Sequence, residues 1–265
     1  MGLYNNRIVV KVGTSTLTND AGKSDLRTTD RLACVLSDIQ NMGYEVVLVS
    51  SGAIAVGRNK LNMTAKPDSM RMKQAAAAVG QCSLMYLYDK FFGDYDKTVA
   101  QILLNADDIE EEEKKENLIN TFNALLEMGV IPIVNENDSV SYKEIESEDR
   151  LFGDNDMLSA VVAVLCRAKH LVILYEIDGF YDHDLRLYTN AKIIDQIDTI
   201  DDSVYALAGG AGSRRGTGGM RTKLQAASLA TSHGTNTIVT NGKRPEVLYD
   251  IVKGGRVGTL FPGKI

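Results

Sequence analysis

Short runs of apolar, often β-branched residues alternate along this chain with longer stretches in which apolar positions recur every three or four residues. The runs at 8–12, 45–49, 98–104, 130–134, 170–176 and 237–240, with a last one at 257–261, read as strands. Helical spacing fills most of the gaps. Residues 26–42 place Leu32, Val35, Leu36 and Ile39 on one side and stop at Gly43. Residues 68–92 are Ala-rich and predict a long helix, broken or bent near Gly80. Leu118, Phe122, Leu125 and Leu126 make a buried stripe behind the charge run 110–116, which reads as a solvated helix face, with Asp107 and Asp108 as candidate caps. Residues 157–168 and 223–232 are further helices, and the acidic region before residue 209 reads as loop-rich. Alternation of this kind implies an α/β fold: a largely parallel sheet with helices on both faces.

Composition narrows the function. With 265 residues, 44% hydrophobic and 24% charged, the chain can bury a large core and reads as one domain over 1–265. A net charge of −6 and a pI near 5.2 argue against a nucleic-acid partner, since phosphate backbones reward clustered Lys and Arg. A small-molecule substrate fits better. Cys34, Cys82 and Cys166 lie far apart with no ligand spacing and read as buried thiols in a reducing compartment. His170, His183 and His233 are equally scattered, so no metal site is expected. There is no apolar run of bilayer length and no signal-peptide pattern, which points to a cytoplasmic protein without a membrane partner.

Candidate chemistry sits where strands end. Lys11 interrupts the first apolar run just before Gly13-Thr14-Ser15. A lysine in a strand must reach solvent, a carboxylate or a ligand, and an edge strand would supply the first. The second strand discharges into Ser51-Gly52-Ala53, whose free N–H groups at a helix start suit a carboxylate or a phosphate. The fourth ends in Asn135-Glu136-Asn137-Asp138, and a polar, irregular stretch over 140–152 then closes on Gly153-Asp154-Asn155-Asp156. The run 209–223 delivers six glycines and Lys223 onto a helix N-terminus, as a phosphate cradle or, more plainly, a flexible surface loop. It matches neither the P-loop nor GxGxxG. If these ends share one edge of a parallel sheet, two lysines, two glycine turns and several carboxylates describe a phosphoryl-transfer site.

Together these motifs resemble the glutamate 5-kinase family, of the amino acid kinase fold. The resemblance rests on Lys11-Val12-Gly13-Thr14-Ser15, Ser51-Gly52-Ala53-Ile54-Ala55, Asn135-Glu136-Asn137-Asp138, the stretch from Gly153 to Ala160, and Gly216-Thr217-Gly218-Gly219-Met220-Arg221-Thr222-Lys223. It implies a three-layer αβα sandwich with a largely parallel central sheet, and ATP- and Mg²⁺-dependent phosphorylation of the side-chain carboxylate of L-glutamate, the first step toward proline. It further implies Lys11 and Lys223 on the transferring phosphoryl group, with Asp156 orienting both. Glutamate would be held by Ser51, Asn135, Asp138, Asp154 and Asn155 with the backbone of Gly52 and Ala53. The nucleotide would meet Lys11, Gly13, Thr14, Ser15, Tyr175, Glu176, Thr217, Gly218, Gly219, Met220 and Lys223. L-proline is the expected feedback inhibitor and a homo-oligomer the expected assembly.

Two features depart from the family pattern. Tyr175-Glu176 stands where Ser or Thr followed by Asp is usual, and the stretch between Asp138 and Gly153 is longer than usual. No C-terminal PUA domain is expected. Acetylglutamate kinase, on the same fold, is the alternative enzyme. A catalytically silent sensor on that fold is the alternative class, against which the retention of both lysines and Asp156 speaks.

Overall fold

The computed structural model describes residues 4–19, 23–65, 67–140, 155–183, 188, 190–208 and 219–264. Among these residues seven strands form one sheet: β1 (Tyr4–Val12), β2 (Glu45–Val49), β3 (Val99–Leu104), β4 (Ile131–Glu136), β5 (Ala168–Tyr175), β6 (Asn236–Asn241) and β7 (Thr259–Phe261). Their order is β3-β4-β2-β1-β5-β6-β7, parallel throughout except for the antiparallel pair β6 and β7. Helices cover both faces, so the central strands are apolar on both sides, as a parallel sheet requires.

The two faces sort by alternation along each strand. On β1, Ile8, Val10 and Val12 pack against the helices Leu26–Asn41 and Met70–Gly93 through Leu32, Leu36, Ile39, Leu84, Tyr88 and Phe92. Val9 points to the other face, where the helices Asn155–Leu165, Met220–Ser232 and Glu112–Glu127 contribute Leu158, Val162, Leu224, Ala227 and Phe122. Each such fully buried side chain contributes about 1.5–3 kcal/mol of transfer free energy. Period two then puts Lys11 on the face of Val9, toward the start of helix Asn155–Leu165.

Several expectations change. Lys11 is not on an edge strand: β1 lies in the middle of the sheet and Lys11 is buried. The helix Met70–Gly93 runs unbroken through Gly80. That glycine serves a close approach instead, because a Cβ on it would sit 1.7 Å from the Ala53 carbonyl oxygen, and one on Gly57 would sit 1.7 Å from that of Ala76. Asp107 and Asp108 lie in the first turn of a short helix, Asp107–Glu110, and Asp108 accepts from the Asn105 backbone N–H outside it. Helix Asp202–Ala208 occupies a stretch that reads as loop-rich, and a further helix, Val247–Val252, follows β6. Of the three thiols only Cys166 is fully buried, which pushes its pKa up to about 12, whereas Cys82 is exposed. Among the described residues no helix is long and apolar enough to cross a membrane, and no cluster of three or more His, Cys, Asp or Glu could hold a metal.

Candidate active site

Parallel pairing aligns the C-terminal ends of β1, β2, β4 and β5 along one edge: Lys11 pairs with Val49 and Ile173, and Val49 with Val134. Lys11 reaches from this edge to Asp156 in the first turn of helix Asn155–Leu165, Nζ to Oδ1 2.6 Å. Lys223, one turn into helix Met220–Ser232, meets the other carboxylate oxygen at 2.9 Å. Asn155 and Asp156 therefore belong to a helix start and not to a strand end.

The three charged groups are 5%, 0% and 1% exposed for Lys11, Asp156 and Lys223. Burial disfavours ionisation of Asp156, but the flanking Lys11 and Lys223 ammonium groups outweigh it and hold the carboxyl well below the usual range. Among the described residues, two ammonium groups share this one carboxylate in a dry site. Two ammonium groups held together in this way suit an anionic ligand.

Two further contacts steady this centre, and neither was evident from the sequence. Thr222 donates its hydroxyl hydrogen toward Asp156 Oδ2 and the Gly219 carbonyl, both at 2.9 Å, tying the helix N-cap to the carboxylate. Tyr175, at the end of β5, places its ring 3.9 Å below Lys223 Nζ. A cation over an aromatic face is stabilised without neutralising its charge. Tyr175 thus meets Lys223, while Glu176 beside it is exposed.

A second cluster lies at the ends of β2 and β4. Asn155 Nδ2 shares its two hydrogens among the Ser50 carbonyl at 2.7 Å, Ser51 Oγ at 2.7 Å and Asn135 Oδ1 at 3.0 Å. Asn135 in turn donates to Gln81 Oε1 at 3.0 Å, and Ser50 Oγ bonds the Tyr88 hydroxyl at 2.8 Å. Gly52 has φ +98°, the left-handed conformation that glycine adopts without strain, and so turns the chain from β2 into helix Ala53–Lys60. That turn packs beside Thr14: a Cβ on Gly52 would lie 3.6 Å from its side chain. Gly13 adjoins the Lys11 ammonium in the same way, at 3.6 Å, and Ser15 is exposed in the short helix Thr14–Leu17. Asp138 is half-buried in the turn after β4, and Met220 opens helix Met220–Ser232. Asp154, Thr217 and Gly218 lie outside the described residues, as do residues 141–152 of the expected flap. Gln81 and Tyr88 escaped the sequence reading. The available signal was a lone glutamine in the stripe Ala77, Gln81, Leu84, Tyr88, Phe92 of an otherwise apolar helix face.

Residues 6–241 match the Amino acid kinase family. Glutamate 5-kinase of Clostridium perfringens (strain 13 / Type A) is 55% identical over 97% of this chain and 96% of its own length. The protein of the same name from Listeria innocua serovar 6a is 50% identical over 97% of this chain and 93% of its own. Among solved structures, carbamate kinase from Giardia lamblia bound to AMP-PNP superposes with a TM-score of 0.67 at 15% identity, covering 98% of both chains. UMP kinase from Bacillus anthracis gives 0.65 at 15% identity over 98% of this chain and 97% of that one. These two likenesses show the fold.

Proposed function

Because the chain belongs to the amino acid kinase family and, within it, to the glutamate 5-kinases, we infer that its edge site transfers the γ-phosphoryl group of ATP to the side-chain carboxylate of L-glutamate. The observation that carries this reading is the buried Lys11–Asp156–Lys223 centre, in which two lysines share one carboxylate. A carboxylate oxygen of glutamate forms the new bond to the γ-phosphorus as the bond to the β–γ bridging oxygen of ATP breaks, giving glutamyl 5-phosphate and ADP. Lys11 and Lys223 neutralise charge on the transferring oxygens, and Asp156 holds the two lysines apart and aimed. No general base is needed, since a glutamate carboxylate is ionised at neutral pH.

Glutamate is assigned to the second cluster. Its ammonium faces Asn155, Asp138 and Asp154, its α-carboxylate the turn at Ser51, Gly52 and Ala53, with Asn135 behind them. The nucleotide is assigned to Gly13 to Ser15 and to Thr217 to Met220, with Glu176 at the margin and Tyr175 acting through Lys223. Both carboxylate oxygens of Asp156 are already engaged by the lysines, so the residues present suit a Mg²⁺ ion that enters on the ATP phosphates and keeps most of its waters. Bound there, the ion would add charge neutralisation across the phosphates. The same reading takes the chain as one kinase domain acting in the cytoplasm as a homo-oligomer.

The experiment is ADP release with L-glutamate and N-acetylglutamate offered side by side. Turnover is expected with glutamate, ATP and Mg²⁺ together and to fall at least tenfold with the acetylated substrate, which lacks the ammonium charge. Equal rates with both would transfer the assignment to the acetylglutamate kinases. L-proline shares with glutamate an α-carboxylate and a cationic α-nitrogen, so it should inhibit at sub-saturating glutamate and lose its effect as glutamate rises. Inhibition of equal strength at saturating glutamate would place any control outside this pocket.

A further inference from the structure

We propose that Gln81 is a positioning residue for the amino-acid pocket: by accepting from Asn135 it keeps the Asn135 oxygen turned to Asn155, and so steadies the Asn155 amide that faces the substrate. The proposal rests on the glutamate reading above. Polarity is set at the Ser50 end of the relay. A backbone carbonyl oxygen only accepts, so the Asn155 atom 2.7 Å from Ser50 O is the amide nitrogen. The same nitrogen donates to Asn135 Oδ1 at 3.0 Å, which commits that oxygen. Asn135 Nδ2 then lies on the opposite side and donates to Gln81 Oε1 at 3.0 Å. Gln81 must accept, and its own Nε2 is left over, buried and with no hydrogen-bond partner among the described residues.

An orphaned buried amide N–H costs stability. Leucine or methionine would fill the stripe between Ala77 and Leu84 with no orphan at that position. Gln81 is 9% exposed and its Nε2 is sealed from solvent, so it does not touch substrate. What it supplies is an acceptor at the end of the relay. With Nδ2 of Asn155 engaged by Ser50, Ser51 and Asn135, Oδ1 is the end of that amide that can accept from a substrate ammonium. Remove the acceptor at 81 and the Asn135 amide loses one of the two contacts that orient it. Asn135 can then rotate and offer Asn155 a donor where it needs an acceptor.

The test compares ADP release and thermal melting in wild type, Gln81→Met and Gln81→Glu. Absence of wild-type turnover with L-glutamate would bring down the functional reading, and the relay with it. Given turnover, Gln81→Met should raise KM for glutamate about tenfold, with KM for ATP and kcat changed by less than about threefold. Its Tm should stay within roughly 3 °C, because one buried orphan is exchanged for another. Gln81→Glu should recover most of the glutamate affinity: burial keeps the new carboxyl neutral, and its oxygen accepts from Asn135. An unchanged glutamate KM in Gln81→Met overturns the proposal, as does an equal rise in both KM values. So does a collapse of Tm, or a Gln81→Glu variant as impaired as Gln81→Met.

Discussion

Replacing Lys223 by methionine should lower kcat on the order of 10²- to 10³-fold while the protein remains folded, and Lys11→Met should do the same. In either variant Asp156 keeps one lysine at 2.6 or 2.9 Å, so the centre loses one of its two ammonium charges. The loss falls on the transition state, where phosphoryl oxygens need that charge, and hardly on the fold. Asp156→Ala should behave differently. It leaves two buried ammonium groups facing each other without their carboxylate, and breaking a buried pair by removing the shared partner costs about 3–5 kcal/mol. That variant should lose both rate and thermal stability. Steady-state ADP release and circular-dichroism melts on the three proteins separate these cases. A folded Lys223→Met enzyme with near-normal kcat would remove Lys223 from the proposed chemistry, and an Asp156→Ala protein as stable as wild type would show that the lysines need no carboxylate.

The second large effect is expected at Gly80. In an exposed helix, Gly→Ala stabilises by about 1 kcal/mol through helix propensity. Here the sign should reverse. A Cβ at 80 would stand 1.7 Å from the Ala53 carbonyl oxygen and 2.5 Å from the Gly57 nitrogen, backbone atoms that cannot rotate away. The helices Ala53–Lys60 and Met70–Gly93 must then separate, and overpacking of this kind costs about 1–3 kcal/mol or more. A fall in Tm of roughly 5–10 °C is expected for Gly80→Ala, since each kcal/mol is worth a few degrees in a chain of this size. The displaced helix begins at Ala53, next to the Gly52 turn, so KM for glutamate should rise as well. A Tm equal to or above that of wild type would show that the crossing has slack.

The fold was legible because parallel sheets write themselves in sequence. β1, β2, β4 and β5 are short apolar runs, and the helix Leu26–Asn41 carries its stripe and its glycine stop. The errors arose where a residue served a neighbour distant in sequence. Gly80 looked like a helix breaker and is a contact point. Lys11 allowed an edge strand and occupies a central one. The short helix Asp202–Ala208 buries none of its residues, so it left no stripe to read.

The sequence by itself determined the strand and helix segments, the parallel character of most of the sheet, and a set of polar residues at the ends of apolar runs, because periodicity and turn chemistry are local. It also carried the face of Lys11: alternation puts it opposite Ile8, Val10 and Val12. Only the tertiary structure decided that Lys11 and Lys223 share Asp156, since 145 residues separate Lys11 from Asp156 and 67 separate Asp156 from Lys223. It alone turned Tyr175 beneath Lys223 and joined Gln81 to Asn135 and Asn155. Such contacts depend on strand order and helix crossing, which are set by how the two apolar faces of the sheet are covered and not by any single stretch of chain.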